Sequence, residues 1–395
     1  MTRPRAIGVA VSGGGDSMAL LHLVARAGTG AVLRAVTVDH GLRTEAAAEA
    51  GFVAGFCRRI GVAHDILSWE HGPVDGNLPD QARRARYRLI GDWARGRGIG
   101  HVVVGHTADD RAETLLMELA RQAGLDGLTA MRPAWEAGGI RFSRPLLTAS
   151  RESLRAYLRA EGVGWIDDPT NEDGSYQRVR ARRALKALAP LGIGAEGLAR
   201  VAANLALARA DLEALAARTA AEIARTPGGA VILDRALWLG TGKETGRRIL
   251  IAALRWLSSA PYAPRAAQVA RLETAIRQGR DATLRGCRVR TAATEIRLTR
   301  EPKAVAALET PTDALWDGRW RMTGPHENGL RTRALGAGGL RQCPDWRRTG
   351  LSSAALVVSP AVWRDQALVA APLAGYGTGW TAEIVAPLNS FLLSH

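Results

Sequence analysis

Apolar and polar positions alternate along the first third of the chain in a repeating order: a short apolar run, a polar or glycine-rich break, then a stretch with helical spacing. Ile7 to Val11 is the first run, Ser12-Gly13-Gly14-Gly15-Asp16-Ser17 breaks it, and Met18 to Leu23 resumes as a helix. Val32 to Val38 is β-rich and ends at Asp39-His40-Gly41-Leu42-Arg43, after which Thr44 to Arg59 predicts a helix. Val62 to Leu67 predicts a third strand, Asp80 to Arg97 a helix, and His101 to Gly105 a fourth strand that runs into a helix from Ala108. Strand-length apolar runs alternating with helical periodicity imply an α/β fold: a parallel sheet with helices on both faces and ligands at the carboxyl ends of the strands.

From about residue 190 the pattern changes. Leu198 to Arg225 and Thr245 to Leu257 are rich in Ala, Leu and Arg with helical spacing, separated by Pro227-Gly228-Gly229. Thr283 to Arg290 followed by Glu295 to Leu298 predicts a β-hairpin. The tail after Pro311 holds five of the eleven Trp residues, many glycines and Arg331, Arg333, Arg341, Arg347 and Arg348; core packing is the expected role of these indoles. A chain of 395 residues exceeds what one core usually supports. The expected division is an α/β domain at 1–188, a mainly helical domain with a hairpin at 189–305 and a small α+β domain at 306–395.

Composition adds limits. Apolar residues make up 47% of the chain, enough for packed cores, yet no run approaches a membrane span and no basic-then-apolar leader precedes Ile7. A cytoplasmic protein with no membrane association is expected. Cys57, Cys287 and Cys343 lie far apart and make no metal-spaced pair, which argues against a disulfide framework or a zinc or iron–sulfur site. The net charge of +15 favours a polyanionic partner. Lysine is nearly absent, which a GC-rich coding sequence explains, but coding bias does not explain the excess of positive charge.

The glycine-rich break carries the first candidate chemistry. Between a strand and a helix it reads as a phosphate cradle: Gly13, Gly14 and Gly15 allow close backbone approach, the helix N-terminus presents N–H groups, and Ser12 and Ser17 supply hydroxyls. The cradle of kinases and GTPases requires a Lys before Ser or Thr, and none occurs here. At the end of the fourth strand, His106-Thr107-Ala108-Asp109-Asp110-Arg111-Ala112-Glu113 gathers Asp109, Asp110 and Glu113 on one side of a helix start. They serve either as helix caps or, beside a phosphate site, as oxygen ligands for a divalent cation.

The hexapeptide resembles the PP-loop of the ATP pyrophosphatases, which cleave ATP between the α- and β-phosphates. VSGGGDS, VDHGLR, QARRARY, GHTADDRAETLLMELARQAGLDGLTAM, RPLL and SRESLRAYLRAEGVGWIDDPTN, in this order, are similar to the tRNA(Ile)-lysidine synthetase family, densely from about residue 6 to 186. The resemblance implies a Rossmann-like PP-loop domain, ATP and Mg2+ as cofactors, and tRNA(Ile) with a CAU anticodon and L-lysine as substrates. No obligatory protein partner is called for. ATP would adenylate the carbon-2 oxygen of the wobble cytidine, and lysine would displace AMP.

The resemblance also implies residue roles. ATP would be held by Ser12 to Ser17 and His106, Mg2+ by Asp16 with Asp109 or Asp110, and catalysis carried by Asp16, Asp39, Asp109 and Asp110, with Asp39, His40, Asp109 and Asp110 as the candidates for the lysine proton. Arg83, Arg86, Tyr87, Glu113, Arg121, Asp167, Asp168, Arg178 and Arg180 would contact tRNA, the cytidine or lysine. Arg121-Gln122-Ala123-Gly124 replaces the Arg-Gly-Ser-Gly common in the family. The C-terminal domain would bind tRNA. Two rival readings stand beside this one: a PP-loop tRNA thiolase, expected to show paired cysteines, and a catalytically idle tRNA-binding protein, which the intact motifs argue against.

Overall fold

Strand residues with alternating apolar faces build the first layer. In the computed structural model, which describes residues 4–41, 46–70, 78–129, 131–167, 177–260 and 262–394, β1 (Ala6–Ala10), β2 (Val32–Asp39), β3 (Ala63–Ser68) and β4 (His101–Val104) are parallel, each within two residues of its predicted bounds. The hairpin of β5 (Ala134–Ala137) and β6 (Ile140–Ser143) was not foreseen. It adds β6 parallel to β4 and β5 antiparallel at the edge, giving the order β3-β2-β1-β4-β6-β5.

The helices are α1 (Gly15–Arg26), α2 (Ala46–Arg59), α3 (Leu78–Gly96), α4 (Ala108–Ala120), α5 (Leu125–Leu128), α6 (Arg151–Ala160) and α7 (Gln177–Leu188). The period-two alternation of the strands feeds two cores. Val9 and Val103 join Met18, Leu21, Phe56 and Leu158 on one face, and Ala10, Val102 and Val104 join Ile90, Trp93 and Phe142 on the other. β1 lies between β2 and β4, so the chain leaves the sheet in opposite directions at the carboxyl ends of β1 and β4. A crevice opens at such a point. Both sequence motifs begin there.

The chain separates into two compact units, 1–209 and 210–395, with α8 (Ala195–Ile223) running across the division. In the second unit the predicted hairpin is part of a five-stranded antiparallel sheet, in spatial order Ala224–Arg225, Val231–Asp234, Glu295–Arg300, Cys287–Thr291 and Ala282–Leu284. Helix Lys243–Ser258 packs Ile249, Leu250 and Leu254 against it, with Leu388 and Leu392 returning from the C-terminal helix. A second antiparallel sheet holds Glu309–Pro311, Leu330–Ala334, Pro360–Arg364 and Ala367–Ala370. Trp316, Trp320, Trp363 and Trp380 are buried here, as expected of packing residues. Among the described residues no single helix is long and apolar enough to cross a membrane.

Candidate active site

The loop after β1 is tied down by its own side chains. Ser17 Oγ donates to the Gly14 carbonyl at 2.9 Å and accepts from the Ser12 N–H at 3.1 Å, so this hydroxyl braces the turn. Gly14 caps α1 without a side-chain hydrogen bond, leaving first-turn N–H groups and the positive end of the helix to the crevice. Gly13 has φ +88°, and its carbonyl accepts from the Ile166 N–H at 3.0 Å, which clamps residues 165–167 beside the loop. Gly105, at the end of β4, lies so close to α1 that a Cβ there would stand 3.0 Å from the Asp16 carbonyl. A side chain there would press on the α1 backbone, so glycine lets the two motifs approach closely.

They meet around Arg151, the first residue of α6. Its Nε donates to Asp16 Oδ2 at 3.0 Å, Nη1 lies 3.4 Å from Glu113 Oε1, Nη2 lies 3.5 Å from Asp110 Oδ1, and its backbone N–H donates to Asp109 Oδ2 at 2.7 Å. Arg182 of α7 adds a 2.6 Å bond to Glu113 Oε1. Asp110 is also the acidic member of a capping box, accepting from the Thr107 N–H at 2.9 Å. Asp110 thus caps α4 and lines the cleft at once. Asp16 Oδ1 and Glu113 Oε2 are buried with no hydrogen-bond partner.

Electrostatics divides these acids. Burial pushes the Asp16 carboxyl above its ordinary value, against the pull of Arg151, and Asp110 and Asp109 add to the rise. Burial also works to raise Asp110, but Arg151, His106 and the Thr107 N–H outweigh it and hold Asp110 below the usual carboxylate range. His106 is pushed down to about 3 by burial, with Arg144, Arg86 and Arg83 opposing a further charge despite the attraction of Asp110. Its Nδ1 accepts from Arg144 Nε at 3.0 Å.

Two cavities share this region. A cleft of about 720 Å³ is lined by the loop from Gly14 to Ser17, by Gly105, His106, Asp110 and Arg151, and by Arg155, Asp167, Arg178, Arg182 and Lys186. A smaller cavity of about 220 Å³ lies between the ends of β1 and β2, with Val11, Val36, Val38 and Ile90 as apolar walls and Asp39 and His40 at its polar end. Ser12, Glu49 and Arg86 line both.

The structure therefore brings together Ser12, Gly14, Gly15, Asp16, Ser17, His106, Asp110, Arg86, Asp167 and Arg178, with Asp109 and Glu113 bonded to the same arginine. Asp39 accepts from the Gly41 N–H at 2.8 Å and faces the smaller cavity. Tyr87 packs edge-on against Trp135 and Phe142, and Arg83 lies over its ring. Arg121, at the end of α4, donates to Glu118 at 2.8 Å and Gln177 at 2.7 Å, outside the lining of either cavity. Arg180 points to solvent. Asp168 lies outside the described residues.

Sequence reading assigned no role to Arg144, Arg151 or Arg155. Arg151 carried a usable signal: a cation in the first turn of a helix opposes the helix dipole and needs a compensating partner. The three cysteines are buried and free. Burial pushes the Cys57 and Cys287 thiols up to about 11 and raises Cys343, so none supplies a thiolate near neutral pH.

Residues 2–188 match the family model of the PP-loop domain. The tRNA(Ile)-lysidine synthase of Ruegeria pomeroyi is 49% identical over 99% of this chain and 95% of its own length. That of Mesorhizobium japonicum is 40% identical over 84% of this chain and 76% of its own. Among solved structures, the U34-tRNA thiolase NcsA from Methanococcus maripaludis aligns with TM-score 0.46 and 15% identity, covering 52% of this chain and 73% of that one.

Proposed function

The chain belongs to the tRNA(Ile)-lysidine synthase family, and from that premise we propose how its cleft carries out ATP-dependent attachment of lysine to the wobble cytidine of a CAU-anticodon tRNA(Ile). The nucleoside of ATP occupies the smaller, apolar-walled cavity, and the phosphates run past Ser12 onto the N-terminus of α1. This places the α–β phosphate bond beside Asp16 and Arg151. The cytidine carbon-2 oxygen attacks the α-phosphorus, pyrophosphate departs, and the oxygen becomes a leaving group. The lysine amine then attacks carbon 2 and AMP leaves.

The observation that carries this reading is the unsatisfied acid beside the loop: Asp16 Oδ1 is buried without a partner, within a cluster of carboxylates that Arg151 and Arg182 only partly neutralise. Such hard oxygen donors fit Mg2+, and Asp16 and Asp109 are the residues to hold it. Bound there, Mg2+ would neutralise charge on the departing pyrophosphate. Arg151 keeps Asp16 and Asp110 oriented and offers its own charge to the same oxygens. In the second step the attacking amine must lose a proton from a group whose free pKa is about 10.4. The ionised Asp110, which lines the cleft, receives and orients it. Arg178, Arg182 and Lys186 form a basic wall for RNA phosphates, which fix register and not base identity.

Incubation with ATP, labelled lysine and total tRNA, followed by digestion to nucleosides, tests the reading. Wild-type protein labels a single cytidine-derived nucleoside. Asp16→Ala retains tRNA on a filter yet releases no pyrophosphate and incorporates no label. Normal pyrophosphate release by Asp16→Ala, or unlabelled tRNA with the wild type, overturns it.

A further inference from the structure

His106 stands on the cleft wall with its two ring nitrogens in different surroundings. Nδ1 faces Arg144 Nε at 3.0 Å. A guanidinium has only donors, so the ring atom it meets must offer a lone pair. We propose that Arg144 is a positioning residue: by donating to Nδ1 it fixes the His106 imidazole as the Nε2–H tautomer, a neutral donor for an anionic oxygen of the bound nucleotide. The role of that donor rests on the ATP reading above; the tautomer does not.

Arg144 is itself held from three sides. Its guanidinium carbon lies 3.9 Å over the Trp135 ring, its Nη1 donates to the Arg132 carbonyl, and its backbone N–H donates to the Pro133 carbonyl at 2.8 Å. Trp135 in turn stacks on Phe142 with centroids 5.1 Å apart, and Tyr87 meets both rings edge-on at 5.4 and 5.6 Å. The aromatic cluster thus builds a rigid platform that ends at the imidazole. Doubly protonated His106 would set an N–H against the Arg144 N–H, so the ring has no room for a second proton. His106 therefore cannot take the lysine proton: Nδ1 is occupied and Nε2 already carries hydrogen. That task falls to carboxylates.

Long-range proton–nitrogen correlation spectra of the full chain labelled with 15N-histidine read the tautomer directly. The His106 pattern is assigned by its loss in His106→Gln. Near neutral pH the wild type shows hydrogen on Nε2 only. Arg144→Met gains hydrogen on Nδ1 and slows single-turnover pyrophosphate release by at least about tenfold, while Arg144→Lys, which still donates to Nδ1, recovers most of the rate. His106→Gln, whose amide nitrogen overlays Nε2, retains more rate than His106→Asn. Hydrogen on Nδ1 in the wild type overturns the proposal even if Arg144→Met does not fold, and so does an unchanged His106 pattern in a folded Arg144→Met. Wild type with the Nε2–H pattern but no lysine transfer to tRNA defeats the functional reading and leaves the tautomer assignment standing.

Discussion

Two arginine–carboxylate clusters, one in each unit, use the same chemical groups to opposite ends. In the second unit Arg300 grips Asp317 through two bonds of 2.8 and 2.7 Å, and both side chains are under 10% exposed. Arg319 lies 3.7 Å from the same acid, donates to the Gly229 carbonyl, and rests over the Trp256 and Trp320 rings. The surplus positive charge is covered by indole faces. In the first unit Arg151 serves Asp16, Asp110 and Glu113 at uneven distances of 3.0 to 3.5 Å, and the surplus is negative, facing a cleft. The closed pair is architecture; the open one is the candidate site. Access to the cleft distinguishes them, because each cluster leaves a buried polar atom without a hydrogen-bond partner, Arg319 Nε in one and Asp16 Oδ1 in the other.

The comparison is most exposed to Arg151→Lys. An ammonium keeps the charge but not the fork that spans three acids. Pyrophosphate release falls by about 10²-fold, while the melting midpoint moves little. Activity near wild type would show that the fork is dispensable and the two clusters equivalent. Asp317→Asn is the reciprocal test: asparagine tolerates the φ of +49° at this position but leaves Arg300 buried without its counter-charge. Denaturant unfolding is expected to report a loss of about 3–5 kcal/mol, with lysine incorporation per folded molecule unchanged.

A finer test uses the sign of linkage. Asp16 has a folded-state pKa above its unfolded value, so its ionised form costs stability at neutral pH, and the cost disappears as pH falls through the raised value. Asp16→Asn should therefore show a higher denaturation midpoint than wild type near neutrality, with the difference fading on acidification. Asp110 has the opposite sign. Its lowered pKa contributes stability above the ordinary carboxylate range, lost as pH falls through the lowered value. A destabilised Asp16→Asn at neutral pH would mean that Asp16 is held as tightly as Asp317, and the contrast between the clusters would fail.

The smallest effect concerns the thiols. Replacing Cys57, Cys287 and Cys343 with Ser should cost stability, since each hydroxyl enters a buried position, yet leave lysine incorporation per folded molecule intact. Loss of incorporation by folded triple mutant would return sulfur chemistry to consideration.

The chain order of apolar runs determined the first four strands, the helix start at Ala108 and the glycine-rich loop, because each depends on period, glycine content and capping within a few residues, while α1 begins at Gly15, three residues before the predicted Met18. Asp16, His106 and Asp110 were legible for the same reason: they sit at strand ends that a parallel sheet must bring together. The β5–β6 hairpin was not legible, since two four-residue strands carry too little periodicity to announce themselves. Nor was the position of Arg121, whose partner Gln177 lies 56 residues away. Only the tertiary structure decided that Arg151 joins four acids from two other elements, and that Tyr87, Trp135 and Phe142 support Arg144 behind His106. Apart from those of Trp135 with Phe142 and Arg144 across the β5–β6 hairpin, these contacts join residues tens of positions apart. Their partners are selected by which helix packs on which strand end, and no local pattern in the chain encodes that choice.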